Sequence, residues 1–213
     1  MSTDPLQAAN LRERKKLATR AAISEAALRL AIERGPENVL IQDIADAAGV
    51  APRTVNNYFP SKEAAIIAEG ADRAAAVQAA IRTRQPDEPL WTALRHALQH
   101  ALTGPIFGHG EPDRAWVAKA RLVKTTPELQ VEQQKSDVGI AAMLTEEIAR
   151  RTGTDPQRDL YPRLAAAACI STVRAAIDHW LDADPATPLD LMVSQALQQL
   201  AAGLPAPNER PGL

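Results

Sequence analysis

The stretch Ile41-Gln-Asp-Ile-Ala-Asp-Ala-Ala-Gly-Val-Ala-Pro-Arg-Thr-Val-Asn-Asn-Tyr-Phe-Pro-Ser-Lys-Glu63 decides the fold. Ile41, Ile44, Ala45 and Ala48 recur at i, i+3, i+4 and i+7, the period of a short amphipathic helix. Gly49 ends it, because a residue without a Cβ takes a positive φ at little cost. Pro52 opens a third helix, where its missing amide has no partner to lose. Val55 and Phe59, four apart, supply the inner face of that helix, and Pro60-Ser61 breaks it. Small Ala45 and Ala48 let the two helices approach closely, with Val50 packed under the turn. This is the pattern of a helix-turn-helix over about residues 40–59.

The outward residues of the third helix form a compact polar set: Arg53, Thr54, Asn56, Asn57 and Tyr58, with no acid from Arg53 to Ser61. A solvated surface helix ordinarily mixes Glu with Lys, whereas a helix facing phosphates should lack acids. Arg donates bidentately to guanine and Asn pairs with adenine in the major groove. Hydroxyls and ammonium groups suit phosphate oxygens, which set register without reading sequence.

Charge is distributed to match. The net charge is −2, which argues against a general polyanion binder, but Arg12, Arg14, Lys15, Lys16 and Arg20 face only Glu13 in one short segment. A basic row at one end of a mildly acidic chain favours phosphate contacts there alone. A nucleoid-type architectural protein would instead spread its basic charge over the surface.

The rest of the 213 residues bounds the class. Ala and Leu dominate and aromatics are 3%, so an all-α fold is expected. The lone Cys169 excludes a disulfide framework or a Cys-based zinc site within one chain. No signal peptide is read at Met1 to Leu11, and the longest apolar run, Leu164 to Ile170, falls far short of the roughly 20 residues that span a bilayer. A cytoplasmic protein without membrane association is expected.

Residues 1–16 lack apolar periodicity and read as a flexible basic arm. A first helix runs from Leu17 with Ile23, Ala27, Leu30 and Ala31 on one face, to Gly35-Pro36. Ser61 is placed to cap a fourth helix reaching about Arg82. Beyond it, helices are expected at about 87–103, 112–125, 127–152, 157–182 and 188–203, separated by Pro- or Gly-marked turns, about nine helices in all. Thr126-Pro127, Asp155-Pro156 and Thr187-Pro188 each put an oxygen acceptor before a Pro. The division is an arm at 1–16, a DNA-binding domain at 17–77, a helical domain at 78–205 and a tail at 206–213.

The motifs Ile44-Ala45-x-x-Ala48-Gly49-Val50 and Thr54-x-x-x-Tyr58-Phe59-x-Ser61-Lys62-Glu63 match in order and spacing the signature of the TetR family of bacterial regulators, which the chain resembles over about residues 17–68. The resemblance implies a homodimer whose recognition helices enter successive major grooves of a near-palindromic operator. It also implies a C-terminal domain whose bound small-molecule effector changes the spacing of those helices, most commonly in a repressor. It gives phosphate roles to Thr54, Tyr58 and Lys62, and makes Arg53 and Asn56 base readers. Asn57 suits either role, and Arg20 a further phosphate contact. Leu40 and Ala51 depart from the family, which often has capping Thr and Ser there; each lost cap is worth about 1 kcal/mol.

In the C-terminal domain, the Ala-rich helix 157–182 and the apolar stripe of 188–203 (Leu189, Met192, Val193, Ala196, Leu197, Leu200, Leu204) are the expected dimer surface, although an intramolecular core explains the same stripes. The resemblance points to the dimer, pairing the last two helices of each protomer into a four-helix bundle. Candidates to line an effector pocket are Trp91, Leu94, Phe107, Trp116, Met143 and Trp180, although large apolar residues at helical spacing more often form plain core. Arg121 and Arg174 suit an anionic ligand or an internal salt bridge. His96 and His100 share a helix face near His109 and Glu111, but no His-Glu-x-x-His pattern or fixed third ligand accompanies them, so no metal is expected. Without a Gly-x-Ser-x-Gly, phosphate-loop or dinucleotide pattern, neither an enzyme nor a cofactor is expected. The alternative class is a helical small-molecule-binding protein or enzyme with no specific DNA role.

Overall fold

The computed structural model describes residues 5–103, 114–183 and 188–205. Among the described residues the chain is all-helical: α1 (Pro5–Arg34), a 3-10 turn (Pro36–Asn38), α2 (Ile41–Ala48), α3 (Pro52–Tyr58), α4 (Lys62–Ile67), α5 (Glu69–Arg82), α6 (Leu90–Thr103), α7 (Arg114–Thr125), α8 (Pro127–Thr152), α9 (Leu160–Asp182) and α10 (Leu189–Ala201). Among the described residues ten α-helices stand where about nine were expected, because the fourth is divided at Ala68, which stays in the right-handed helical region.

The largest difference from the sequence reading lies at the start. The stretch expected as a flexible arm is helical from Pro5, continuous with the helix that carries Ile23 and Ala27. Helix propensity explains it: Ala8, Ala9, Leu11 and the long-chain bases are good helix formers, and no Gly or Pro interrupts between Leu6 and Arg34. Apolar periodicity marks only burial, and residues 12–18 are exposed.

The chain forms two compact units. One comprises Met1–Gly70 with Ala118–Gln133, the other Ala71–Val117 with Gln134–Leu213. The first is therefore not a simple N-terminal segment ending near residue 77. Its core joins Ile23, Ala27 and Leu30 of α1 to Ile44 and Ala45 of α2, Val55 and Phe59 around α3, and Ile66 of α4. Leu129, from the first turn of α8, is fully buried in the same core, with Leu122 and Val123 of α7 packed beside it. Burying each such side chain contributes about 1.5–3 kcal/mol. Ser24 adds a specific tie, its buried hydroxyl donating to the Ala65 carbonyl at 2.9 Å.

In the second unit α6 and α9 both pack on α10, and Leu94, Leu189, Val193 and Leu197 are buried, so the last three, residues of the α10 stripe expected at a dimer surface, serve the intramolecular core instead. Glu147 of α8, 1% exposed, accepts from Arg82 Nε at 2.9 Å and from Arg150 Nε at 3.1 Å, which links α5 to α8. Burial raises the Glu147 carboxyl, but bonds and charge from Arg150 and Arg82 outweigh it and hold the carboxyl below its ordinary value. Asp155 does not cap α9 as its position before Pro156 suggests. Its Oδ1 accepts from the Gln157 amide at 2.8 Å and closes a turn, and α9 starts after Asp159. No helix among the described residues is long and apolar enough to cross a membrane.

Candidate nucleic-acid interface

The helix-turn-helix is built by local backbone chemistry. At the start of α2, Leu40 offers no side-chain cap, and the Asp43 carboxylate instead accepts from the Leu40 amide at 2.9 Å. Half of a capping box is thus kept without the usual hydroxyl. Gly49 ends α2 in the left-handed region (φ 66, ψ 34), and the next amide, Val50, donates to Ala45 at 2.9 Å. That turn delivers the chain to Pro52, the first residue of α3. Ala51 supplies no side-chain cap there; its carbonyl accepts from Thr54 at 2.8 Å.

Val55 and Phe59 are buried on the inner side of α3. Arg53, Asn56 and Asn57 are exposed, and Thr54 and Tyr58 are half-buried. At about 100° per residue, Arg53, Asn56 and Asn57 fall within about 100° of arc, with Thr54 and Tyr58 at one border of that face. The helix therefore presents one guanidinium and two carboxamides outward and two hydroxyl-bearing residues at the edge. This is the division of labour that base edges and flanking phosphates require.

Around this face, two cations take defined positions. Arg20 of α1 stacks its guanidinium 4.5 Å from the centroid of Phe59, the C-cap residue of α3. Lys62, at the start of α4, donates to the carbonyls of Pro36 at 2.8 Å and Val39 at 2.9 Å, with Glu37 at 3.5 Å. Its three N–H bonds are thus directed into the 3-10 turn, a duty the sequence did not suggest. Ser61 caps α4, accepting from the Ala64 amide at 3.0 Å.

The effector-pocket candidates separate. Trp116 and Trp180 meet in the second unit, ring centroids 6.4 Å apart and tilted by 58°. Leu94 is fully buried, while Trp91 and Met143 are half-buried in the same unit. Arg174 pairs with Asp137, which realises the internal salt bridge. Arg121 is exposed on α7 and belongs to the first unit. Phe107, His109 and Glu111 lie outside the described residues. His96 Nδ1 lies 2.8 Å from Glu88 Oε1 and Nε2 lies 3.2 Å from Arg95 Nη2, while His100 is exposed.

Lys119 was not singled out from the sequence. It is buried, and its ammonium donates to the carbonyl of Ile67, the last residue of α4, at 3.1 Å. The available signal was its place one turn after Trp116 on a partly apolar helix.

Residues 23–68 match the family model described as bacterial regulatory proteins, tetR family, and residues 88–205 match that of the MftR C-terminal domain. A Mycobacterium tuberculosis protein named as a mycofactocin biosynthesis transcriptional regulator, MftR, is 30% identical over 92% of this chain and 96% of its own. The HTH-type transcriptional regulator TcmR of Streptomyces glaucescens is 31% identical over 95% of this chain and 91% of its own. Among solved structures, Thermus thermophilus FadR, a TetR family transcriptional repressor in complex with lauroyl-CoA, superposes with a TM-score of 0.57 at 20% identity, covering 91% of this chain and 98% of that one. The two matched models follow one another along the chain, and both curated relatives are aligned over nearly their whole length. The chain belongs to the TetR family and is a DNA-binding transcriptional regulator.

Proposed function

We propose that this regulator is a repressor that binds a near-palindromic operator as a homodimer and leaves it when a small effector binds the second unit. The acid-free outward face of α3 carries the reading. In it Arg53, Asn56 and Asn57 read base edges, Thr54, Tyr58 and Arg20 contact phosphates, and Lys62 stiffens the 3-10 turn behind them.

Homodimerisation is supported by α9 and α10. Leu160 (73% exposed), Leu164 and Tyr161 lie uncovered along α9, and Leu191 along α10. Exposed apolar side chains on two helices that pack on one another suit an association face. The effector reading is supported by the Trp116–Trp180 pair inside the second unit, where two large aromatic rings meet.

Selection of bound fragments from a random DNA pool, repeated across a metabolite panel, tests both halves. A preferred near-palindrome that one metabolite abolishes is expected. No enriched sequence would sink the operator reading, and an enriched sequence indifferent to every metabolite would sink the sensor reading.

A further inference from the structure

The basic segment before the helix-turn-helix is part of a rigid helix, and its azimuth is fixed by contacts further along. Ile23, Ala27, Leu30 and Ala31 turn one face of α1 into the core of the first unit. Arg20 continues that face and stacks on Phe59 at the end of α3. Lys16 lies four residues earlier and Arg12 eight, so at 100° per residue both stay within about 80° of Arg20. They project from the same side of α1, about 6 and 12 Å further along its axis. Arg14 points to the opposite side. The helical Cβ tilt leans these side chains toward the N-terminus.

We infer that Arg12 and Lys16 form, with Arg20, a row on α1 that binds backbone phosphates of the same DNA duplex on which α3 docks. The inference rests on the DNA reading of α3 and extends the interface beyond the helix-turn-helix. Three observations support it. Arg12 and Lys16 are exposed, and no ion pair among the described residues engages them. The row carries a net excess of two positive charges even with Glu13 beside it. It is also continuous, through Arg20 and Phe59, with the recognition helix itself. The single helix Pro5–Arg34 makes the row preorganised, so binding does not bear the ordering cost that a disordered arm would.

The experiment uses the full chain on a fragment selected for binding, with affinity measured against salt. Each phosphate contact adds about 0.9 to the slope of log K against log salt, or about 3.5-fold in affinity over a fourfold rise in salt. Arg12→Ala and Lys16→Ala should each flatten the slope by that amount with base preference unchanged. Arg14→Ala, an equal change of charge on the far side, should leave the slope alone. Equal effects from all three substitutions, or no effect from any, would each overturn the row. Wild-type binding without salt dependence would instead remove the DNA reading on which it rests.

Discussion

Lys62 donates to the Pro36 carbonyl at 2.8 Å, across 26 residues of chain, and thereby fastens the start of α4 to the 3-10 turn that follows α1. A second bond reaches Val39 at 2.9 Å, just before the Leu40 residue that opens α2. One ammonium therefore sets the spacing of the two segments that bracket the helix-turn-helix. Lys62→Met should lower the stability of the protein by about 1.5–3 kcal/mol, the range for losing hydrogen bonds to a charged group. Urea unfolding measures that loss. The salt slope of DNA binding should stay as in the wild type, and a flattening of about 1 without a loss of stability would show that Lys62 serves phosphate instead.

Arg53 carries the opposite expectation. It is exposed on α3, with its backbone set by Pro52 and its neighbours Val55 and Phe59 buried. Arg53→Ala should leave the unfolding midpoint nearly unchanged and relax base preference at one position per half-site, at a cost of about 1–3 kcal/mol. Binding to a set of operator variants, each changed at one position, reads this directly. A uniform loss across all variants would move Arg53 to the phosphate contacts.

The helix-turn-helix was legible because its determinants are local. Ile44, Gly49, Pro52 and Val55 each act within one or two turns of chain, and α8 was bounded correctly as Pro127–Thr152 for the same reason. What escaped was either unburied or long-range. The first turns of α1 carry no apolar stripe, so propensity alone makes them helical. Leu129 joins the core of the first unit from far along the chain, and no periodicity encodes which core a helix end enters. The sequence reads Lys62 as a phosphate contact because its carbonyl partners exist only once Pro36–Asn38 has turned. In sequence Arg174 suits a ligand or a salt bridge equally, a choice that depends on Asp137 of another helix.

Gly49 separates backbone strain from packing. Its φ of 66 lies in the left-handed region, yet a Cβ built there meets no atom within 4 Å. Gly49→Ala therefore incurs the conformational cost alone, about 1–2 kcal/mol. Gly49→Asn should lose less, since Asn tolerates this region better than Ala. Thermal unfolding of the two variants checks the order. If Asn were the worse of the two, crowding in the turn rather than φ would govern the site.

Glu88 makes stability depend on pH in a stated direction. Both of its carboxylate oxygens accept from Arg84, at 2.7 Å each, and Oε1 also faces His96 Nδ1. Those bonds, from Arg84 first and then His96, hold the carboxyl at about 2 against an ordinary value of 4.5, overcoming the opposing effect of burial. The folded value lies below the unfolded one, so the charged form stabilises the native state above about pH 4.5. That contribution fades as pH falls toward about 2. Glu88→Gln should accordingly unfold at lower urea than the wild type at neutral pH, and the two midpoints should converge between pH 4.5 and 2. A gap that stays constant across that window would mean that Glu88 contributes through packing and neutral hydrogen bonds, and that the Arg84 pair adds nothing by its charge.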